Sequence, residues 1–175
     1  MSDSTANHRT RHTISALVND ETGVLTRIAA MFSRRGYNIE SLAVGACEQP
    51  GCSRMTIVAL ADEQEIIQIR KQLEKLICVL QVQVLDEIPF VDRELVLYQV
   101  AASANTRVEI TQLVELFRGR IVDVASESLI IEVTGDQGKL KAFEQLVHKF
   151  GLLAIGRSGK LALPRGTKDE SQQDN

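Results

Sequence analysis

The chain has 175 residues, 44% of them hydrophobic and 25% charged, the proportions of an ordinary globular protein. With 20 Lys+Arg against 23 Asp+Glu the net charge is -3, so the chain lacks the positive field that holds nucleic acid or an anionic membrane surface. Residues 1–90 hold 9 basic and 11 acidic side chains and residues 91–175 hold 11 and 12, which excludes a basic tail or an acidic arm.

The three cysteines, Cys47, Cys52 and Cys78, are an odd number in a chain with no hydrophobic leader, and read as free thiols in a reducing compartment. The spacer between Cys47 and Cys52 contains Pro50 and Gly51, and no second Cys or His pair follows, so no metal site is expected. No apolar stretch approaches the ~20 residues needed to span a bilayer. The expected location is the cytoplasm, with neither membrane nor nucleic acid as partner.

Taken in chain order, residues 12–18 form a predicted strand with Ile14, Ala16 and Val18 on one face, ended by the polar run Asn19, Asp20, Glu21, Thr22, Gly23. A helix follows, with Val24, Leu25, Ile28, Ala29 and Phe32 as its core stripe and Gly36 as its stop. Residues 39–47 and 53–61 read as strands joined by a turn at Gln49-Pro50-Gly51. Ile66, Ile69, Leu73 and Leu76 recur at helical spacing, and Leu80, Val82 and Val84 alternate as a strand. Pro89 marks a boundary, after which residues 93–102 start a second cycle. It continues with a helix through Ile110, Leu113, Val114 and Phe117, strands at 120–124 and 129–133, a helix through Leu140, Phe143, Val147 and Phe150, and one last strand within 152–163.

Each cycle is βαββαβ, so the fold class is α+β with two ferredoxin-like domains, at residues 12–88 and 93–164, flanked by flexible tails at 1–11 and 165–175. Such a sheet carries both helices on one face. The other face lacks cover, yet holds Leu17, Val58 and Leu60, so it or its edges are expected to meet another module or a second copy in a homodimer.

No phosphate-binding loop, nucleophile elbow, zinc-binding His pair or dinucleotide fingerprint is present. His8, His12 and His148 lie far apart and read as solvated or edge residues, so no catalytic residue is assigned. A base-stacking sheet is also excluded, because Tyr98 is the only aromatic residue within a predicted strand.

The most informative feature is the loop 19–23 feeding a helix. The first helical turn offers unpaired N–H groups and the positive end of the dipole, a seat for a small carboxylate. Gly23 permits close approach, the N–H groups of Gly23, Val24 and Leu25 are candidate anion donors, and Asp20 is placed to accept a hydrogen bond from an ammonium group. A free α-amino acid fits that arrangement. The alternative at this level is a plain helix cap by Asp20 or Thr22. A second feature is Asn38, which reads either as a ligand-binding amide or as a turn residue after Gly36.

Residues Asn19-Asp20-Glu21-Thr22-Gly23-Val24-Leu25, the run from Phe32 through Gly36-Tyr37-Asn38-Ile39-Glu40-Ser41 to Leu42, and Ser53-Arg54-Met55-Thr56-Ile57 together resemble the regulatory (small) subunit of acetohydroxyacid synthase, also called acetolactate synthase. Residues 117–124 and Arg157-Ser158-Gly159 resemble the C-terminal part of that family. The resemblance implies an N-terminal ACT domain, a C-terminal ferredoxin-like domain, no catalysis by this chain alone, and a partner. That partner is a large catalytic subunit carrying thiamine diphosphate, Mg2+ and FAD. It also implies feedback by valine, bound where two ACT domains meet. The family's loop falls on Asp20, Gly23, Val24 and Leu25 of one copy, and its asparagine on Asn38, with Ile39, of the other; Gly45 is placed near the ligand side chain. Relatives often have Asn at the position of Asp20, where a carboxylate still suits the ligand's ammonium group. The competing reading is a free-standing ACT-type amino-acid sensor acting on another target, although no helix-turn-helix or basic recognition helix is visible.

Overall fold

The computed structural model describes residues 9–166, which form two compact units: residues 9–91 with 162–166, and Asp92–Leu161. The first unit runs β1 (Thr10–Asn19), α1 (Val24–Arg34), β2 (Asn38–Ala46), β3 (Cys52–Ala61), α2 (Glu63–Glu74) and β4 (Val79–Val84). Its strands pair antiparallel in the order β2-β3-β1-β4. The second unit repeats the plan with β5 (Phe90–Ala101), α3 (Arg107–Leu116), β6 (Arg120–Val124), β7 (Ser128–Gly135), α4 (Gln137–Val147) and β8 (Leu152–Arg157), in the order β6-β7-β5-β8. A further strand, β9 (Leu161–Pro164), also pairs with β5. The protein is α+β, with two ferredoxin-like βαββαβ units.

Each unit has its own core. Alternate residues of the central strands, Ile14, Ala16 and Val18 on β1 and Met55, Ile57 and Ala59 on β3, meet Ile28 and Phe32 of α1 and Ile69 and Leu73 of α2. In the second unit Val96, Tyr98 and Val100 of β5 and Leu129, Ile131 and Val133 of β7 meet Ile110, Val114, Leu140, Phe143 and Val147. The period of two on the strands and 3.6 on the helices produces this layering directly. Local chemistry ends the elements where it should. Gly36 takes φ 71 after α1, letting the N–H groups of Gly36 and Tyr37 donate to the Ser33 and Phe32 carbonyls at 3.1 and 3.0 Å. Pro50 and Gly51 (φ 76) turn the β2–β3 hairpin, closed by the Cys52 N–H on the Gln49 carbonyl at 3.2 Å.

Several expectations need correction. On α1 the buried stripe is Val24, Ile28, Met31 and Phe32, whereas Leu25 and Ala29 face outward. On β4 the register slips between Leu17 and Val18 of β1, whose partners are Gln81 and Val79, so Leu80 is a bulged residue and 48% exposed while Val79 packs on the core. Bulges of the same kind fall at Glu40 on β2, Val122 on β6 and Leu153 on β8, so β2, β4, β6 and β8 each carry one.

The second cycle starts earlier than expected, at Phe90, and the stretch 152–163 makes two strands because Gly159 (φ 82) turns the chain between them. Tyr98 lies on the core side: its hydroxyl donates to the Leu140 carbonyl at 3.2 Å, and burial pushes its pKa up to about 12. Of the expected flexible tails, Thr10 and Arg11 belong to β1, Arg11 pairs with Glu40, and the Arg165 N–H donates to the Pro89 carbonyl. The remainder, 1–8 and 167–175, lies outside the described residues.

The sheet face expected to lack cover is closed at its centre: Thr13, Ser15, Thr56 and Val58 are all buried, with Leu17 and Leu60 half-buried. A 3-10 turn at Leu85–Glu87 packs beside β1, with Leu85 fully buried outside the helix-side core.

Candidate effector site

The loop between β1 and α1 is tied down at its start and open at its end. The Asn19 N–H donates to the Cys78 carbonyl and the Asp20 N–H to the Gly51 carbonyl, both at 2.9 Å. Gly23 then takes φ 88 and ψ 0, a left-handed geometry at the N-cap of α1 with no side-chain cap and no acidic residue in the first turn. The plain-cap alternative is therefore not realised. By contrast α2 starts in a full capping box between Asp62 and Glu65, and α4 is capped by Asp136.

In α1 the Arg27 N–H is the first to reach back to the Gly23 carbonyl, at 3.0 Å, and the Val24 N–H makes only a long contact, 3.4 Å, to the Glu21 carbonyl. The amides of Leu25 and Thr26 have no carbonyl one turn back within the helix, which leaves the positive end of its dipole facing outward.

That helix end opens into a cavity of about 290 Å³. Its rim is Asn19, Asp20, Glu21 and Gly23, its helical wall is Val24, Leu25 and Thr26, and Val18, Val44, Ser53 and Met55 form the opposite side. Amide donors and an exposed carboxylate at the mouth, with Val18, Val44, Met55 and Leu25 behind, match a small zwitterion that has an aliphatic side chain.

The expected residues divide accordingly. Asp20, Gly23, Val24 and Leu25 line the cavity. Gly45 lies on the opposite sheet face from Val44, paired with Arg54, with open space where a Cβ would sit. Asn38 and Ile39 begin β2, six residues from Val44 and so roughly 20 Å away at 3.3 Å per residue. They do not reach this cavity within one chain. Val44, Ser53 and Met55 were missed in the sequence. The signal that finds them is the hairpin register, which sets Val44 opposite Met55 and Ser53 opposite Val18.

The second unit shows what the first would be without a vacancy. One numerical offset carries Val18 to Val100, Ile28 to Ile110, Gly36 to Arg118 (both at positive φ) and the bulge at Glu40 to that at Val122. It carries Asp20 to Ala102, Leu25 to Arg107 and Val44 to Ser126. There the Arg107 guanidinium donates to the carbonyls of Ala102 at 3.3 Å, Ser126 at 2.6 Å and Ala125, bridging the two walls that bound the cavity in the first unit. Arg107→Ala is expected to lower stability in urea by about 1–2 kcal/mol, with Lys restoring only part of it because the planar fork is lost.

Among the described residues, no group of three or more His, Cys, Asp or Glu side chains is placed to hold a metal ion, and no helix is long and apolar enough to cross a membrane. Residues 14–81 match the family profile described as the AHAS small subunit-like ACT domain, and residues 93–166 match the small subunit of acetolactate synthase. An acetolactate synthase small subunit of Mycobacterium bovis is 49% identical over 90% of this chain and 94% of its own. The chloroplastic small subunit 2 of Arabidopsis thaliana is 48% identical over 92% of this chain, which corresponds to 33% of that longer protein. The crystal structure of the acetolactate synthase small subunit from Thermotoga maritima superposes with a TM-score of 0.83 at 41% identity, covering 91% of this chain and 99% of that one. By sequence along nearly its whole described length, and by the fold of both units, the chain belongs to the acetolactate synthase small-subunit family.

Proposed function

We propose that this chain is the regulatory subunit that docks on the catalytic subunit of acetolactate synthase in the cytoplasm, raises its activity, and relays feedback by valine. The observation that carries the reading is the uncapped start of α1, where Gly23 turns bare amides toward a cavity with an aliphatic far wall. The effector's carboxylate sits on the first-turn amides, its ammonium group against Asp20, and its branched side chain against Val44 and Met55.

The site is completed by a second copy. β2 is an edge strand whose Leu42 and Val44 are 38% and 42% exposed beside Leu25 at 49%. Two chains meeting β2 to β2 about a twofold axis run antiparallel, which brings Asn38 and Ile39 of one copy to the Val44 end of the other. Thiamine diphosphate, Mg2+ and FAD belong to the catalytic partner, and this chain makes no bonds itself. Valine shifts the assembly only through unequal affinity for its two states.

The test is reconstitution: acetolactate formation is measured for each subunit alone and for the mixture, with and without valine. Mixing is expected to raise turnover and valine to reverse the gain, while this chain alone converts no pyruvate. Absence of any change on mixing would leave an independent amino-acid sensor as the better reading.

A further inference from the structure

A second cavity lies on the other side of the same helix end. It is a groove of about 410 Å³ lined by Gly23, Thr26, Arg27, Ala30, Arg34 and Leu76. Its charge runs against that of the chain. The net charge of the protein is -3, yet α1 contains no acidic residue and gives the groove two guanidinium groups, with Arg35 immediately after. Arg27 is engaged by Glu21 at 2.6 Å, whereas Arg34 is in no ion pair among the described residues. Next to Leu76 stands Ile77, 97% exposed, the most solvent-facing of the large apolar side chains described. An isoleucine held wholly in water beside a cationic, Ala- and Leu-floored groove is the pattern of an unfilled contact.

We infer that this groove seats an acidic segment of the catalytic subunit, one that offers a carboxylate to Arg34 and an aliphatic side chain to Ala30, Leu76 and Ile77. The identity of the occupant rests on the function proposed above; its chemistry rests on the groove. The groove contains no residue of the β2 edge, and shares Gly23 and Thr26 with the cavity that a second copy completes.

The location also supplies a link to the effector. Gly23 lines both cavities, and the Glu21 carboxylate on the rim of the first accepts the hydrogen bond of Arg27 in the second. That bond also holds the Arg27 guanidinium above its ordinary pKa, with Cys78 contributing next. A zwitterion seated in the first cavity therefore lies one hydrogen bond, Glu21 to Arg27, from a guanidinium of the groove.

The experiment uses the full-length chain and the catalytic subunit, with the dissociation constant read from the activation titration and from sedimentation. Arg34→Glu and Ile77→Asp are each expected to weaken association at least about tenfold, and added salt to weaken wild-type association. Lys71→Glu, the same change of charge on α2 outside the groove, is expected to alter association less than about twofold. All three variants are expected to bind valine and to melt as the wild type does. If the wild type associates and both groove variants match it, the groove assignment is overturned while the regulatory function stands. If the wild type neither associates nor activates, the function itself falls and takes the named occupant with it.

Discussion

Gly23→Asp is expected to weaken valine binding by more than about tenfold, a loss of at least ~1.4 kcal/mol, with the fold intact. Two effects add. At φ 88 and ψ 0 any residue with a Cβ sits in the left-handed region, at a cost of roughly 1–2 kcal/mol. The aspartate carboxylate then takes the position at the helix end that the effector's own carboxylate needs. A Cβ built on Gly23 meets no atom within 4 Å, so an alanine methyl adds no clash. Gly23→Ala therefore separates the terms: it introduces the backbone strain without the charge, and should cost at most the ~5- to 30-fold that about 1–2 kcal/mol corresponds to. Calorimetry on the whole protein measures both, and unchanged affinity in the aspartate variant would remove the loop from the site.

The largest effect on stability is expected from Phe143→Ala in the second unit, about 3–5 kcal/mol. The Phe143 ring is fully buried, with its centroid 5.1 Å from that of Tyr98 and 5.3 Å from that of Phe117. Truncation removes both ring contacts and leaves a cavity between α4 and β5 that fully buried neighbours such as Val96 and Ile131 can fill only by shifting. The two cores share no residue, so the transition of the second unit should move to lower urea while the first unit continues to bind valine. A destabilisation under about 1 kcal/mol would contradict the packing described here.

The order of elements was legible because each period recurs where its residues face a core, and Gly36, Pro50 and Gly51 stand at the turns that need them. Periodicity failed where more than one residue can satisfy it. On α1 both Leu25 and Met31 fit a helical stripe around Val24 and Ile28, and only the tilt of the packed helix decides that Met31 goes inside. Bulges are invisible to a period of two, because an extra residue such as Leu80 changes no composition and only reverses which neighbour faces inward.

The candidate site was legible on its local side. A polar loop ending in Gly23 before an apolar helix names its donors without any tertiary information. The far wall was not, because Val44 and Ser53 enter through strand register, which sequence spacing alone does not determine. Strand register likewise puts Gly45, one residue out of phase with Val44, on the other sheet face.

Both units fasten the tip of their central hairpin to the junction between first strand and first helix. In one the Gly51 carbonyl holds the Asp20 amide, and in the other the carbonyls of Ala125 and Ser126 hold Arg107. Hairpin tips are ordinarily where a chain accepts inserted tags, spacers or fused modules most readily. Here neither tip is spare. A peptide spliced in beside Gly51 would unmoor the loop that begins at Asp20, so engineering of this protein should graft its labels elsewhere.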